Sequence, residues 1–169
     1  MGRALTWAAL MAAVTGAQVP NPVAAQAVVY DPAHTTACLT NAPRPDTRHA
    51  CIGRAAERCM ENTPGGQSTV GIVACLDAER QWWDARLNAA YADARTHAAR
   101  MDVANQLPTG VTPTPTLLRD MQRTWITFRD QKCGYEVALW GPGTGAGPAG
   151  VRCLMITTAE QAIFLEITR

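Results

Sequence analysis

The sequence predicts an all-α protein, a small antiparallel bundle of about four helices braced by three disulfides. Apolar residues recur at spacings of three and four over long segments, which is the pattern of amphipathic helices. No segment alternates apolar and polar residues with the period of two that marks a half-buried strand. The six cysteines form an even set in a chain that begins with an export signal, which is typical of disulfide-bonded proteins.

The first 27 residues have the pattern of a secretory signal peptide. One cation, Arg3, precedes an apolar run over residues 4–14, and residues 25–27 match the small-x-small site of signal peptidase. This run is shorter than the about 20 residues that span a bilayer. We therefore predict that residues 1–27 are cleaved and that the mature protein is periplasmic or secreted, without a membrane span. No cysteine lies at the cleavage region, so no lipid anchor is expected.

The mature chain is predicted to be an extended N-terminal arm followed by a single helical domain. The arm, residues 28–46, is rich in proline and has room for at most one helical turn near Cys38. The domain, residues 47–169, begins with a helix through "CIGRAAERCMEN" that Asp46 or Thr47 can cap. The stretch "TPGG" then stops this helix, because proline and glycine end helix propagation.

Three further helices are predicted, each with a single apolar stripe. Ser68 or Thr69 caps a long helix that reaches about residue 106 and has the stripe Ile72, Leu76, Trp83, Leu87, Ala90, Ala94, Ala98 and Met101. A proline-rich connector leads to a helix over about residues 116–139, with the stripe Leu118, Met121, Trp125 and Phe128. The last helix is expected over residues 151–167.

Six cysteines allow fifteen connectivities, so their number does not fix the pairing. Cys51 and Cys59 lie eight residues apart on one predicted helix, a rise of about 12 Å. The Cα atoms of a disulfide lie within about 7 Å, so these two residues should not pair with each other. The pairs that helix geometry favours are Cys59–Cys75 across the "TPGG" turn, Cys133–Cys153 and, as the remainder, Cys38–Cys51. No C-x-x-C spacing occurs, so no metal site is expected.

The stretch "WGPGTGAGPAGVRC" raises the question of a nucleotide site, because Gly145, Gly147 and Gly150 have the spacing G-x-G-x-x-G. A nucleotide-binding loop of this kind follows a strand within a βαβ unit. Here the glycines follow a predicted helix in a chain without predicted strands, so we expect no nucleotide or other cofactor. We interpret the stretch as a disulfide-clamped connector, with a candidate partner-binding loop at Gly141, Gly143, Thr144, Gly145 and Gly147.

Charge and side-chain chemistry exclude several function classes. The 15 basic and 14 acidic residues become 14 and 14 when Arg3 leaves with the signal, so no nucleic-acid partner is indicated. The histidines lie outside any zinc or nucleophile motif. Glu79 and Asp84 lie five residues apart on one helix, about 140° around its axis, so they do not flank one sugar bond. We therefore predict that the chain is not an enzyme.

Two helical stretches carry more polar and aromatic residues than amphipathicity requires: "CLDAERQWWDARLNAAY" and "LLRDMQRTWITFRDQKC". Their pattern, roughly C-L-x-x-E, D-x-x-L-N-x-x-Y and Q-x-x-W-x-x-(F/Y)-R-D-x-x-C, resembles that of LprI-type lysozyme inhibitors over about residues 70–169. One departure is Gln161, which stands where the family has arginine. The polar cluster that the motif defines consists of Glu79, Asp84, Asn88, Tyr91, Gln122, Trp125, Arg129 and Asp130.

The resemblance implies a disulfide-braced helical protein of the cell envelope whose partner is a protein, either a lysozyme or another cell-wall enzyme. Two alternatives remain open: a structural envelope protein that inhibits nothing, and an envelope hydrolase. The spacing within the motif also has a structural meaning, because i, i+3 and i+7 share one helix face. If the motif faces of the two helices meet, Arg129 is expected to pair with Asp84 or Glu79.

Overall fold

The computed structural model describes residues 27–168, and this part of the chain is all-α. The signal-peptide prediction falls almost wholly on residues 1–26, which lie outside the described residues. No strand occurs within residues 27–168. The six helices of this range are α1 Ala33–Thr40, α2 Pro45–His49, α3 Arg54–Asn62, α4 Thr69–Ala104, α5 Thr114–Leu139 and α6 Ala146–Ile167.

Helices α4 and α6 pack along each other and run in the same direction. A Cβ atom added at Gly147 of α6 would lie 3.6 Å from Cγ2 of Val73, near the start of α4. At the other end of α6, Glu166 pairs with Arg86 of α4 at 2.5 Å. The core between them is formed by the apolar stripes of the two helices, which include Leu76, Trp83, Leu87, Ala90, Met155, Ala159, Ala162 and Ile163.

Helix α5 runs opposite to α6 and is attached along a narrow face. Nε2 of Gln161 donates a hydrogen bond to Oε1 of Gln122 at 2.9 Å, and the second half of α5 is bonded to the start of α6 through Cys133–Cys153. Only Gln122 and Cys133 are buried on α5. The prediction that Met121 and Phe128 share the core stripe is wrong, since their side chains are 36% and 57% exposed.

The N-terminal segment differs from the predicted extended arm. It contains α1, whose Thr35 and Leu39 are buried. The first predicted helix is also divided, into α2 and α3, at Gly53 with a φ of 93°. This left-handed conformation suits glycine. It aims the amide of Gly53 at Oε1 of Glu79, 2.9 Å away, and that contact is invisible in the local sequence.

Each long helix has a clear beginning. Oγ of Ser68 accepts a hydrogen bond from the amide of Gly71 at 3.1 Å and caps α4, one of the two capping residues predicted. Helix α5 begins at Thr114, next to Pro115 in its first turn, where proline is tolerated. Helix α6 begins at Ala146, so residues 146–150, predicted as loop, are helical.

Three disulfides join the helices, and they are the three pairs that helix geometry favours. Cys38–Cys51 ties α1 to the turn before α3, and Cys59–Cys75 ties α3 to α4. Cys133–Cys153 joins α5 to α6. All but Cys38 are nearly or fully buried, so the disulfides also form part of the packed interior.

Two ion pairs that share one buried carboxylate were not predicted from the sequence. Glu166, whose side chain is 8% exposed, pairs with Arg86 of α4 and with Arg48 of α2. Both guanidinium groups thereby meet one carboxylate at the point where α2, α4 and α6 come together. Such a pair adds little net stability but fixes the register of the elements that it joins.

Candidate functional site

A groove between α4 and α5 brings together most of the polar cluster that the family motif defines. Its volume is about 500 Å³, within the size range of small-ligand sites. Six of the eight predicted cluster residues line this groove: Asp84, Asn88, Tyr91, Gln122, Trp125 and Arg129. The motif faces of α4 and α5, which the residue spacing predicted, therefore do meet.

On the α5 wall of the groove, Arg129 contacts the two side chains next to it. Its guanidinium carbon lies 5.2 Å from the centre of the Trp125 ring, a cation–π contact. Its Nε and Nη2 atoms both donate to Oδ1 of Asp130, at 2.9 and 2.8 Å. The prediction that Arg129 pairs with Asp84 or Glu79 is therefore wrong. The neighbouring carboxylate, half exposed on the outside of α5, satisfies Arg129 locally.

The α4 wall carries a polar pair and an aromatic ring. Nδ2 of Asn88 donates to Oδ2 of Asp84 at 3.3 Å, one turn away on the same helix. Tyr91 follows on this face, with the guanidinium of Arg95 5.8 Å from its ring centre. The wall thus offers a carboxylate, an amide and a phenol side by side.

The amide of Gln122 lies between the groove and the core. Its side chain is 9% exposed, and its oxygen accepts from Gln161 of α6. Gln161 occupies the position where the related motif has arginine, so a neutral amide replaces a cation beneath the groove. The hydrogen bond from Gln161 uses the amide oxygen of Gln122. The amide nitrogen of Gln122 has no hydrogen-bond partner among residues 27–168, so it can donate to a ligand in the groove.

Leu87, a residue of the motif, also lines the groove, and three further lining residues were not predicted: Arg119, Arg123 and Ile126. The signal was present on α5, because these positions follow one another and the motif residues at spacings of three and four. They were passed over because the family motif does not include them. Their presence changes the charge of the groove, which contains three arginines and one carboxylate.

Glu79 lies apart from the groove and is fully buried under α1 and α3. Its Oε1 atom accepts hydrogen bonds from Thr35 Oγ1, Gly53 N and Trp83 Nε1 at 3.0, 2.9 and 3.0 Å. Its Oε2 atom accepts one from Ala56 N at 2.6 Å. Glu79 therefore holds the N-terminal helices onto α4, and four donors replace the cation that the sequence analysis expected.

Tyr30 lies near this carboxylate, and its buried hydroxyl has no hydrogen-bond partner in the described part of the chain. Burial, together with the nearby carboxylates of Glu79 and Asp31, raises the pKa of Tyr30 well above its ordinary value. The unfolded chain loses this proton near pH 10, whereas the folded chain keeps it. The neutral phenol thus contributes stability that is fully present below about pH 10 and is lost as the pH rises further.

We expect Tyr30→Phe to change the free energy of unfolding by less than about 1 kcal/mol at pH 7, since no hydrogen bond is lost. Above about pH 10 the variant should lose stability less steeply than the wild type. Urea unfolding between pH 7 and 11 measures both quantities. Tyr135→Phe is the matched control, because Tyr135 is 67% exposed. Parallel curves for the wild type and Tyr30→Phe would contradict the assignment.

A second surface, the loop end, comprises the α3–α4 turn, residues 63–68, and the α5–α6 turn, residues 140–145. Both turns lie at the end of the molecule where α4 and α6 begin, and there a Cβ atom at Gly147 would lie 3.6 Å from Cγ2 of Val73. At this end, Cys59–Cys75 joins the two helices that flank the first turn, and Cys133–Cys153 joins the two that flank the second. Trp140 is 55% exposed, and Val70 is 65% exposed.

The candidate partner-binding loop is shorter than predicted. Gly147 lies within α6, and Gly145 is the residue that precedes this helix, so the free turn contains Gly141, Gly143 and Thr144. A Cβ atom at Gly145 would lie 2.2 Å from Cζ3 of Trp140. The indole of Trp140 thus packs against the backbone of Gly145, and a side chain at this position would displace it.

Other kinds of site find no support in residues 27–168. No group of three or more histidine, cysteine, aspartate or glutamate side chains is placed to hold a metal ion in this range. Nor does the range contain a helix both long and apolar enough to cross a membrane.

The fold and the groove define the class of the chain: a small all-α domain held by disulfides, with the polar motif of its two longest helices on one groove. The profile of the family described as "Lysozyme inhibitor LprI" matches residues 59–165. The chain belongs to this family, and the resemblance inferred from the two motifs is confirmed.

Among curated proteins, the chain is similar to a protein of Rhodobacter capsulatus described as "Uncharacterized 17.7 kDa protein in puhA 5'region". The two are 26% identical over 134 residues, which cover 78% of this chain and 82% of the relative. No solved structure matches the chain significantly.

Proposed function

We propose that the mature chain is a periplasmic or secreted binding protein that inhibits a lysozyme or another cell-wall enzyme, and that it is not itself an enzyme. Membership of the LprI family supports the inhibitory role. The three disulfides and the signal-like N-terminus support export, because disulfides form and persist in oxidising compartments.

The observation that carries this proposal is the pairing of two braced turns at the loop end. A surface that is already rigid loses little conformational entropy on binding, so more of the contact energy contributes to affinity. Trp140 supplies the large, partly exposed aromatic side chain that often dominates a protein interface. Its indole packs against the backbone of Gly145 on one side.

The charge of the loop end fits the proposed partner. Residues 62–76 and 137–151 contain no charged side chain, and Arg152 follows directly. Enzymes that cleave glycosidic bonds carry a pair of carboxyl groups at the bond that they cut. A surface without carboxylates enters such a cleft without like-charge repulsion.

The proposal is tested by adding the purified mature protein to bacterial cell walls that are being lysed by lysozymes of several classes. We expect slower lysis for at least one class, and Trp140→Ala should weaken inhibition at least about tenfold. Phe128→Ala is the matched control, because Phe128 is an equally exposed aromatic residue on α5, away from the loop end.

Two results would contradict the proposal. If a micromolar excess of the protein slows lysis by no class of lysozyme, the chain is an envelope protein without inhibitory activity. Equal inhibition by Trp140→Ala and the wild type would remove the loop end from the interface.

A further inference from the structure

We propose that the α4–α5 groove binds an acidic saccharide, a sugar that carries a carboxylate. This site is separate from the loop end, and the inference does not depend on the inhibition of an enzyme. It rests on the charge of the groove, on the way in which Arg129 is held, and on the mixture of aromatic and amide side chains in its walls.

The charge of the groove favours a ligand with one or two negative charges. Arg119, Arg123 and Arg129 line the groove, and Asp84 is the carboxylate among its lining residues. Within residues 27–168, Arg123 forms no ion pair, and the other two arginines pair only with the residue that follows them in the chain. A polyanion would meet the carboxylate of Asp84, which makes nucleic acid a poor fit.

Arg129 is prepared to bind a carboxylate. The cation–π contact with Trp125 fixes the plane of its guanidinium group. Asp130 occupies only the edge formed by Nε and Nη2, and it does so through a single oxygen. The edge formed by Nη1 and Nη2 therefore remains, and it has the fork geometry that a carboxylate accepts with both oxygens.

The remaining walls suit hydroxyl and acetamido groups. Asp84 and Asn88 supply acceptors, and the amide nitrogen of Gln122 is a donor. Tyr91 on α4 and Trp125 on α5 are aromatic, and they offer apolar surface to the C–H bonds of a sugar ring. A volume of about 500 Å³ accommodates one or two sugar units.

The test uses two sugars that differ in their acidic group. N-acetylmuramic acid is N-acetylglucosamine with a lactyl ether, and this ether carries the carboxylate. We titrate each sugar into the isotope-labelled mature protein and follow the backbone amides and the indole N–H of Trp125 by NMR. We expect N-acetylmuramic acid to shift groove residues of both helices and to bind at least about tenfold more tightly than N-acetylglucosamine.

Substitutions locate the site. Arg129→Gln and Arg123→Gln should each weaken binding of N-acetylmuramic acid, the first by at least about tenfold. Arg100→Gln is the matched control, since Arg100 lies on α4 outside the groove. Circular dichroism checks the fold of each variant. If Arg129→Gln unfolds, the affinity of Arg123→Gln for N-acetylmuramic acid tests the site instead. The side chain of Arg123 is exposed and forms no ion pair in the described range, so this substitution should leave the fold intact.

Three results would overturn the inference: equal affinity for the two sugars, equal affinity of Arg129→Gln and the wild type, or no shift of groove residues with either sugar at millimolar concentration. A further titration uses an acidic dipeptide. If the dipeptide binds at these residues and neither sugar does, the ligand of the groove is a peptide and the inference is wrong. With a soluble oligomer of N-acetylglucosamine as the lysozyme substrate, which carries no carboxylate for the groove, inhibition by Arg129→Gln should equal that by the wild type. Failure of this site is then distinguishable from failure of the proposed function.

Discussion

Replacing Glu79 by alanine is expected to lower the free energy of unfolding by roughly 3–5 kcal/mol. The carboxylate is fully buried and accepts four hydrogen bonds. Alanine would leave the two backbone amides, the Thr35 hydroxyl and the Trp83 indole without their acceptor in the interior. An unpaired buried donor costs about 1–3 kcal/mol, and water entering the new cavity would restore only part of this.

The measurement is denaturant unfolding at pH 7, with Glu57→Ala as the matched control. Glu57 lies on α3 with an exposed side chain, so its loss should cost less than about 0.5 kcal/mol. Glu79→Gln should be intermediate, because the amide oxygen can take the place of Oε1 and keep three donors, while the NH₂ group then faces the amide of Ala56. A loss below 1 kcal/mol for Glu79→Ala would mean that the N-terminal helices are held to α4 by other contacts.

Replacing both Cys59 and Cys75 by alanine is expected to cost about 3 kcal/mol, the second large effect. The disulfide closes a segment of 16 residues, and its loss frees that segment in the unfolded chain. Both cysteines are almost completely buried, so the variant also loses packed atoms. Because the bond borders the α3–α4 turn, inhibition should weaken together with stability.

The matched control is the double alanine variant of Cys38 and Cys51, whose bond closes a segment of similar length, 13 residues. This bond borders neither turn of the loop end. Thermal unfolding and lysis assays on both variants, at a temperature where both are folded, separate the two effects. Equal loss of inhibition in the two variants would show that the α3–α4 turn needs no local brace.

Helix positions and cysteine pairs were predictable because they depend on local periodicity and on distances along a helix. The apolar stripe of α4 locates the helix and its buried face from Leu76 to Ala98, whereas Met101 at the end of the predicted stripe is 41% exposed. The pairs Cys38–Cys51 and Cys59–Cys75 were predicted on the assumption that Cys51 and Cys59 share one helix, whereas Cys51 lies in the turn before α3. The predicted pairs are nevertheless the ones that form. The two motif faces that line the groove follow from the same spacing rule.

Two of the errors arise where a distant residue decides the local structure, and one arises where an adjacent residue is the partner. The division between α2 and α3 depends on the hydrogen bond from Gly53 to Glu79, 26 positions further along the chain. The partner of Arg129 was wrong because Asp130 is adjacent and needs no second helix. The rotation of α5, which exposes Phe128, follows from its attachment to α6 through Gln122 and Cys133. Periodicity alone does not contain these contacts.

The length of α5 has a consequence for how the two surfaces work together. Trp125 in the groove and Trp140 at the loop end are 15 residues apart along the chain, which is about 22 Å at a helical rise of about 1.5 Å per residue. One rigid rod therefore carries both surfaces, far enough apart for each to hold its own partner. A protein anchored by its groove to acidic glycan would raise the effective concentration of its inhibitory end wherever an enzyme attacks that glycan. Weak affinity for the enzyme in free solution would then suffice for protection at the wall.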